Sequence, residues 1–251
     1  MPHDAASHDA RWALFLDVDG TLLEIAATPE SVFVSESLKT LLKEASERLD
    51  GALALISGRA IADLDRLFAP LKFCAAGIHG AELRGADGRV VRAALNTTVL
   101  REAREDLESF AALHPGILLE DKSFALAVHF RLAPHLESTV RTKLHSVMDR
   151  VGADYVLQPG KLVFEIRPAA WTKGTAVRSL LSDAPFAGRM PVYIGDDLTD
   201  EHAFEAVNDL RGISVRVGEI TATKARFRLG NVAHVQRWLR EPFLDALEPV
   251  G

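Results

Sequence analysis

The 251-residue chain predicts an α/β fold, a Rossmann-like parallel-sheet core with an inserted α+β unit. Three observations predict it. Short continuous apolar runs at residues 12–16, 52–56 and 192–194 have the character of parallel strands buried on both faces. Stretches with apolar residues at helical spacing alternate with such runs, and repeated strand–helix–strand units imply a doubly wound sheet. From about residue 95 the order changes to helix, hairpin, helix, hairpin, which fits a separate α+β unit set into the first.

Taken in order, residues 35–48 carry Leu38, Leu41, Leu42 and Ala45 at helical spacing, continued by Leu49. A second strand at 52–56 leads into Ser57-Gly58-Arg59 and a helix carrying Ile61, Leu64, Leu67 and Phe68. Residues 73–76 form a third strand, and 81–83 and 89–91 flank the hairpin turn Asp87-Gly88. In the insertion, helices are expected at 99–113 and 134–151. The strand pairs are 117–120 with 124–130, and 155–157 with 162–166 across a turn at Gln158-Pro159-Gly160. Alternation then resumes with a helix at 173–181, a strand at 192–194, a helix at 200–207, a strand at 213–217 and a last helix or turn at 232–239. The expected domains are residues 1–94 and 168–251 for the core and 95–167 for the insertion.

Composition narrows the function. Hydrophobic residues at 48% and charged residues at 25% suit a globular chain with a sizeable core. The formal net charge of −6 argues against a general nucleic-acid binder, which needs a basic surface. Cys74 is the only cysteine, so no intrachain disulfide forms, and its apolar surroundings suit a packed residue better than a nucleophile. No run of roughly 18 apolar residues spans a membrane. Residues 1–10 are polar and lack a basic-then-apolar export signal. A cytoplasmic protein with no membrane, nucleic-acid or obligate protein partner is expected.

The chemistry concentrates where apolar runs end. The first strand stops at Asp17-Val18-Asp19-Gly20-Thr21, and in open α/β sheets ligands bind beyond the carboxyl ends of strands. If the strand continued, Asp17 and Asp19 would point the same way. Two like charges held together are costly unless a cation or a shared proton offsets them. The pair therefore suggests a divalent-metal or phosphoryl-transfer site, although Asp-Gly is also ordinary turn chemistry. Ser57 follows the second strand, where amides near a helix start form a phosphate cradle or simply a strand-to-helix turn. Lys173 follows Thr172, a good N-cap. A lysine is electrostatically misplaced at a helix N-terminus unless it holds an anion such as a phosphate oxygen. Tyr193-Ile194-Gly195-Asp196-Asp197-Leu198-Thr199-Asp200 repeats the pattern of a buried strand ending in acids. Mg2+ takes one or two carboxylates together with waters and phosphate oxygens. Asp17 and Asp196, from adjacent strand ends, suit that role, and Asp200 is available to cap the next helix.

Asp-x-Asp-Gly-Thr at 17–21, then Ser57, Lys173 and Gly-Asp-Asp-x-x-Asp at 195–200 resemble the haloacid dehalogenase superfamily of phosphotransferases across the whole core. The insertion resembles its type 2 cap. That resemblance implies Asp17 as nucleophile, Asp19 as general acid/base, and Ser57 and Lys173 as holders of the phosphoryl group. It implies Mg2+ on Asp17, the Asp19 backbone carbonyl and Asp196.

Six blocks, spread over nearly the full length, narrow the resemblance to the trehalose-6-phosphate phosphatase family. They are Ile56-Ser57-Gly58-Arg59, Gly77-Ile78-His79-Gly80-Ala81-Glu82, Glu120-Asp121-Lys122, His129-Phe130-Arg131, Gly160-Lys161 with Glu165-Ile166-Arg167-Pro168, and the 195–200 motif. The implied reaction is Mg2+-dependent hydrolysis of trehalose 6-phosphate through an aspartyl-phosphate, the last step of trehalose biosynthesis, with the cap closing over the sugar. A disaccharide offers many hydroxyls to charged groups. Glu120 and Lys122 share a face at spacing two, and Lys161 and Glu165 flank the last cap strand. The resemblance implies that these four hold the glucose unit remote from the phosphate; exposed cross-strand ion pairs would look the same. Arg59 is expected to reach the phosphate or the cap, and Glu82 to contact sugar hydroxyls or pair with Arg84. His129 lines a cleft or is a satisfied core histidine. The rival functions are a related phosphatase of sucrose, mannosylglycerate or hexose phosphates, and a non-catalytic sugar-phosphate sensor.

Overall fold

Five apolar residues in a row, Trp12–Leu16, form strand β1, buried at every position. The structure is a computed structural model that describes residues 12–25, 32–94, 97–219, 222–240 and 247–250. The polar segment 1–10, read above for export signals, lies outside them. Helix α1 (Glu36–Arg48) starts where the Ser35 side chain accepts the Leu38 amide, and it buries Leu38, Leu41, Leu42 and Ala45. Strand β2 (Leu53–Ile56) is wholly buried, α2 (Ile61–Phe68) buries Ile61, Leu64 and Phe68, and β3 (Cys74–Gly77) follows. β4 (Glu82–Arg84) and β5 (Val90–Arg92) flank a turn with Gly88 at φ +76°.

The insertion holds α3 (Thr98–Leu113), β6 (Leu118–Asp121), β7 (Leu126–His129), α4 (Glu137–Val151), β8 (Tyr155–Gly160) and β9 (Val163–Pro168). Its antiparallel sheet has the order β6-β7-β9-β8. Leu126, Val128, Phe164 and Ile166 pack with Leu100, Ala103, Leu107, Val140, Leu144 and Val147 of the two helices in a second hydrophobic core. Strand alternation places the residues between them on the opposite face. There Glu120, Ala127, Glu165 and Gln158 stand side by side across all four strands. The expected turn at Gln158-Pro159-Gly160 is instead part of β8, and the chain reverses one step later, with Leu162 at φ +61°. β8 is an edge strand, where a proline is tolerated because no neighbour needs its missing N–H. Likewise α4 begins later than expected, after a 3-10 turn at Pro134–Leu136.

The core resumes with α5 (Lys173–Leu180), β10 (Met190–Gly195), α6 (Glu201–Asp209) and β11 (Ile213–Val217). β12 (Phe227–Leu229), α7 (Val232–Arg240) and β13 (Glu248–Pro249) complete it. The nine strands run in the order β13-β12-β11-β10-β1-β2-β3-β4-β5. From β12 to β3 all neighbours are parallel, while β4 and β13 pair antiparallel at either side. The sheet is thus mixed, a parallel centre with antiparallel margins. β12 and β13 were not expected. Trp238 of α7 stacks on Trp12 of β1 with ring centroids 6.3 Å apart.

Two compact units result, residues 1–91 with 172–251, and residues 92–171. Within the second, the Ala169 amide bonds to the Asp154 carbonyl and Arg167 bonds to the Trp171 carbonyl. Among the described residues, no helix is long and apolar enough to cross a membrane.

Candidate active site

β1, β2 and β10 are parallel neighbours whose ends are in register, with Leu16 opposite both Leu55 and Ile194. Asp17, Ser57 and Asp196 therefore leave the sheet at one edge, the carboxyl end, where such sheets bind ligands. Asp17 is 3% exposed, and its amide bonds to the Ile194 carbonyl at 2.9 Å. Lys173, the first residue of α5, sends its ammonium to Asp17 Oδ1 at 2.6 Å and Asp200 Oδ1 at 2.7 Å. Its helix has a reciprocal cap between Thr172 and Thr175. The neighbouring Gly174 has no Cβ, which would otherwise stand 2.3 Å from the His202 carbonyl oxygen.

Three carboxylates, Asp17, Asp196 and Asp200, each offer an oxygen within 4.8 Å of the others. Gly20, at φ +91°, makes that approach possible, since a Cβ there would lie 2.1 Å from Asp196 Oδ2. Thr21 donates its hydroxyl to Asp196 at 3.3 Å. Asp200 is the hub. Besides Lys173 it accepts the Tyr193 hydroxyl at 2.6 Å and the amides of Asp196 and Asp197 at 3.0 and 2.8 Å.

The electrostatics record one cation among three anions. Burial drives the Asp17 carboxyl well above its ordinary value; Lys173 pulls it down, and Asp200 and Asp196 push it up again. Burial and Asp200 push Asp196 up to about 6. Burial opposes the charge of Lys173, but Asp17 and Asp200 hold the ammonium above its usual range. Burial, then Asp200, keeps the Tyr193 hydroxyl protonated as a donor. A hard divalent cation with oxygen ligands fits this excess of buried negative charge.

Asp19 is elsewhere electrostatically. Its carboxylate is about one-third exposed and accepts both Nε and Nη2 of Arg59 at 2.7 Å, a two-pronged pair. The side chains of Asp17 and Asp19 thus pair with different protein cations, Lys173 and Arg59. β1 ends at Leu16, so the strand alternation that would align them no longer applies.

Arg59 and Glu82, expected at the phosphate or the sugar, are placed in a brace around Ser57. The Ser57 hydroxyl oxygen accepts the Arg59 amide at 3.1 Å. The amides of His79 and Ile78 bond to the carbonyls of Ser57 and Arg59, both at 3.0 Å. To do so Ile78 and His79 adopt left-handed φ of +48° and +55°, a strain of about 1–3 kcal/mol per residue that the surroundings must impose. The His79 ring fills the space where Gly58 lacks a side chain. Glu82 is buried, and its Oε2 accepts the Ile61 amide at 2.8 Å, capping α2, whose own N-cap is Ala60. Glu82 does not pair with Arg84, which binds Asp65 and the Phe73 carbonyl. Burial raises the Cys74 thiol, in keeping with a packed residue.

In the inserted unit, Lys122 Nζ lies 3.0 Å from Glu165 Oε1, and His129 Nε2 lies 2.9 Å from Glu120 Oε2. Arg167 holds Gln158 Oε1 at 3.1 Å. Burial raises the Glu120 carboxyl, but the His129 hydrogen bond and the Lys122 charge bring it below its ordinary value. The structure thus brings Glu120, Lys122 and Glu165 to one sheet face. Lys161 is in the exposed turn before β9, where its carbonyl accepts Arg131 Nη2. Sequence reasoning missed Tyr193 and Thr21 and gave Asp200 only a capping role. The burial of Tyr193 within a strand was the available signal.

A mixed sheet with a lysine-held aspartate and an acidic cluster at the carboxyl edge of its parallel centre, interrupted by an α+β insertion, is the fold of haloacid dehalogenase-like hydrolases. A haloacid dehalogenase-like hydrolase from B. subtilis shares the fold, with TM-score 0.59 and 17% identity over 91% of this chain and 99% of that one. The chain belongs to the trehalose-phosphatase family, whose sequence profile matches residues 15–233. It is 47% identical over 207 residues to a probable trehalose-phosphate phosphatase of Sinorhizobium fredii, covering 82% of this chain and 78% of the relative. It is 42% identical over 230 residues to trehalose-6-phosphate phosphatase of Escherichia coli K12, covering 92% and 86%. A solved trehalose-6-phosphate phosphatase related protein matches with TM-score 0.75 and 28% identity over 90% of this chain and 95% of that one.

Proposed function

We propose that the chain hydrolyses trehalose 6-phosphate to trehalose and phosphate with Mg2+ as cofactor. The observation that carries the chemistry is Asp17, buried at the end of β1 and gripped by Lys173 within the three-carboxylate cluster. The substrate rests on family membership and on relatives named for it at 42–47% identity. The Asp17 carboxylate attacks phosphorus in line, an aspartyl-phosphate forms, and the bond from phosphorus to the sugar oxygen breaks. Asp19 gives a proton to the departing oxygen, then takes one from the water that attacks the phosphoryl-enzyme, releasing phosphate and restoring Asp17. To act, Asp19 must release at least one oxygen from Arg59. Lys173 spends two of its three N–H donors on Asp17 and Asp200, and the third serves a phosphoryl oxygen. The Ser57 hydroxyl accepts from Arg59 and keeps its own proton for another. Asp17, Asp196 and the Asp19 carbonyl would hold the cation, with Asp200 beside them. When bound, the cation neutralises charge on the phosphoryl group.

Glu120, Lys122 and Glu165 present directional groups to sugar hydroxyls, and Lys161 in the adjoining turn adds a cation. Arg59 and Glu82 support the loop that carries Ser57. The partner is the sugar phosphate, and the proposed compartment is the cytoplasm, in keeping with a single free cysteine.

Phosphate release across trehalose, sucrose, mannosylglycerate and glucose phosphates, with Mg2+ or with chelator, tests this reading. Trehalose 6-phosphate should lead in kcat/KM by about tenfold or more, a transition-state preference of about 1.4 kcal/mol, and chelator should abolish release. A different preferred ester would overturn the substrate, and undiminished release in chelator would overturn the metal.

A further inference from the structure

We propose that His129 is a specificity-determining positioning residue, which aims the Glu120 carboxylate at a sugar hydroxyl. The inference rests on the reading of this sheet face as the sugar-binding face. Glu120, Ala127, Glu165 and Gln158 form one row across the sheet, so the two carboxylates stand on either side of a methyl group. Each carboxylate has one oxygen fixed by a cationic or polar neighbour. Lys122 holds Glu165 Oε1 at 3.0 Å, and His129 holds Glu120 Oε2 at 2.9 Å. The second oxygen of Glu120 accepts no hydrogen bond among the described residues. Hydroxyl recognition needs an acceptor fixed in direction as well as in charge, and a glutamate side chain has rotamer freedom to lose before it supplies one. His129 removes that freedom. Its side chain is 20% exposed and that of Glu120 is 23% exposed, so solvent reaches the pair without dissolving it. The Nε2–H tautomer and the imidazolium both donate to Glu120, so the aim holds in either form.

A purely structural staple between strands is the competing explanation. β6 and β7 are already joined in register from Leu118 to Asp121 by backbone pairing, and the side-chain pair is redundant for that purpose.

Three variants and one double variant decide the matter. H129N keeps an amide but stops a methylene short of Glu120, whereas H129Q carries a donor at the same bond distance as the imidazole Nε2. H129N and E120A should each raise KM for trehalose 6-phosphate about tenfold with kcat held within about twofold, the size expected for a hydrogen bond to a charged group. H129Q should restore KM. The double variant H129N/E120A should bind no worse than E120A alone, since His129 acts through Glu120. The preference for trehalose 6-phosphate over p-nitrophenyl phosphate should fall with KM. A wild-type KM in H129N beside a raised KM in E120A would overturn the role of His129 and leave the sugar face standing. An unchanged KM in E120A would overturn the sugar-face reading and the inference together. Fully additive losses in the double variant would reduce His129 to a structural residue.

Discussion

Asp17 and Asp19 stand two residues apart, yet Lys173 answers one and Arg59 the other. The cost of like charges was legible in the sequence, as were Lys173 and the acids of 195–200, because those residue types follow apolar strands. The division of cations was not legible. It depends on where β1 stops and on an arginine that reaches back 40 positions with two prongs. Asp200 was underread for a similar reason. Its Oδ2 takes the amides of its own turn, as a cap should, while Oδ1 turns inward to Lys173 and Tyr193. The Tyr193 hydroxyl is buried on that carboxylate, so Y193F leaves a buried acceptor with one donor fewer. Denaturant unfolding of Y193F should show a loss of about 1–3 kcal/mol. An unchanged midpoint would mean that the hydroxyl contributes nothing to holding Asp200.

At the scale of elements, periodicity located the buried strands and the helices that cover them, and Ser35 was the cap that α1 needed. What escaped it was decided by partners distant in sequence. Pro159 reads as a turn residue but is tolerated in an edge strand. Ile78 is a β-branched residue with left-handed φ, which no propensity suggests. It is held there by bonds to the loop that carries Ser57 and Arg59. Glu82 was open to a sugar hydroxyl or to Arg84, and no sequence pattern shows that its Oε2 accepts the amide at the start of α2. E82A should therefore loosen α2, costing about 1–2 kcal/mol as a lost cap does. Amide exchange across residues 61–68 should accelerate, and turnover should fall as the Ser57 loop shifts. Unaltered exchange in that segment would rule out the capping role.

For the whole molecule, two compact units stand out, and the second, residues 92–171, is where paired hairpins replace strand–helix alternation. The margins of the large sheet were less legible, because β12 and β13 are short and are recruited by strands already in place. The two units offer different chemistry. One gathers carboxylates and a buried lysine suited to phosphoryl transfer, and the other spreads polar pairs on a sheet face suited to hydroxyls. The proposed mechanism depends on Asp17 as the attacking group. Phosphate release from trehalose 6-phosphate in Mg2+, measured for wild-type protein and for D17N at matched circular dichroism and thermal midpoint, tests this most directly. Wild-type protein should turn over, and D17N should fall by at least about a thousandfold, as loss of a covalent nucleophile does. A D17N rate within tenfold of wild type would contradict the assignment of Asp17 and, with it, the aspartyl-phosphate route.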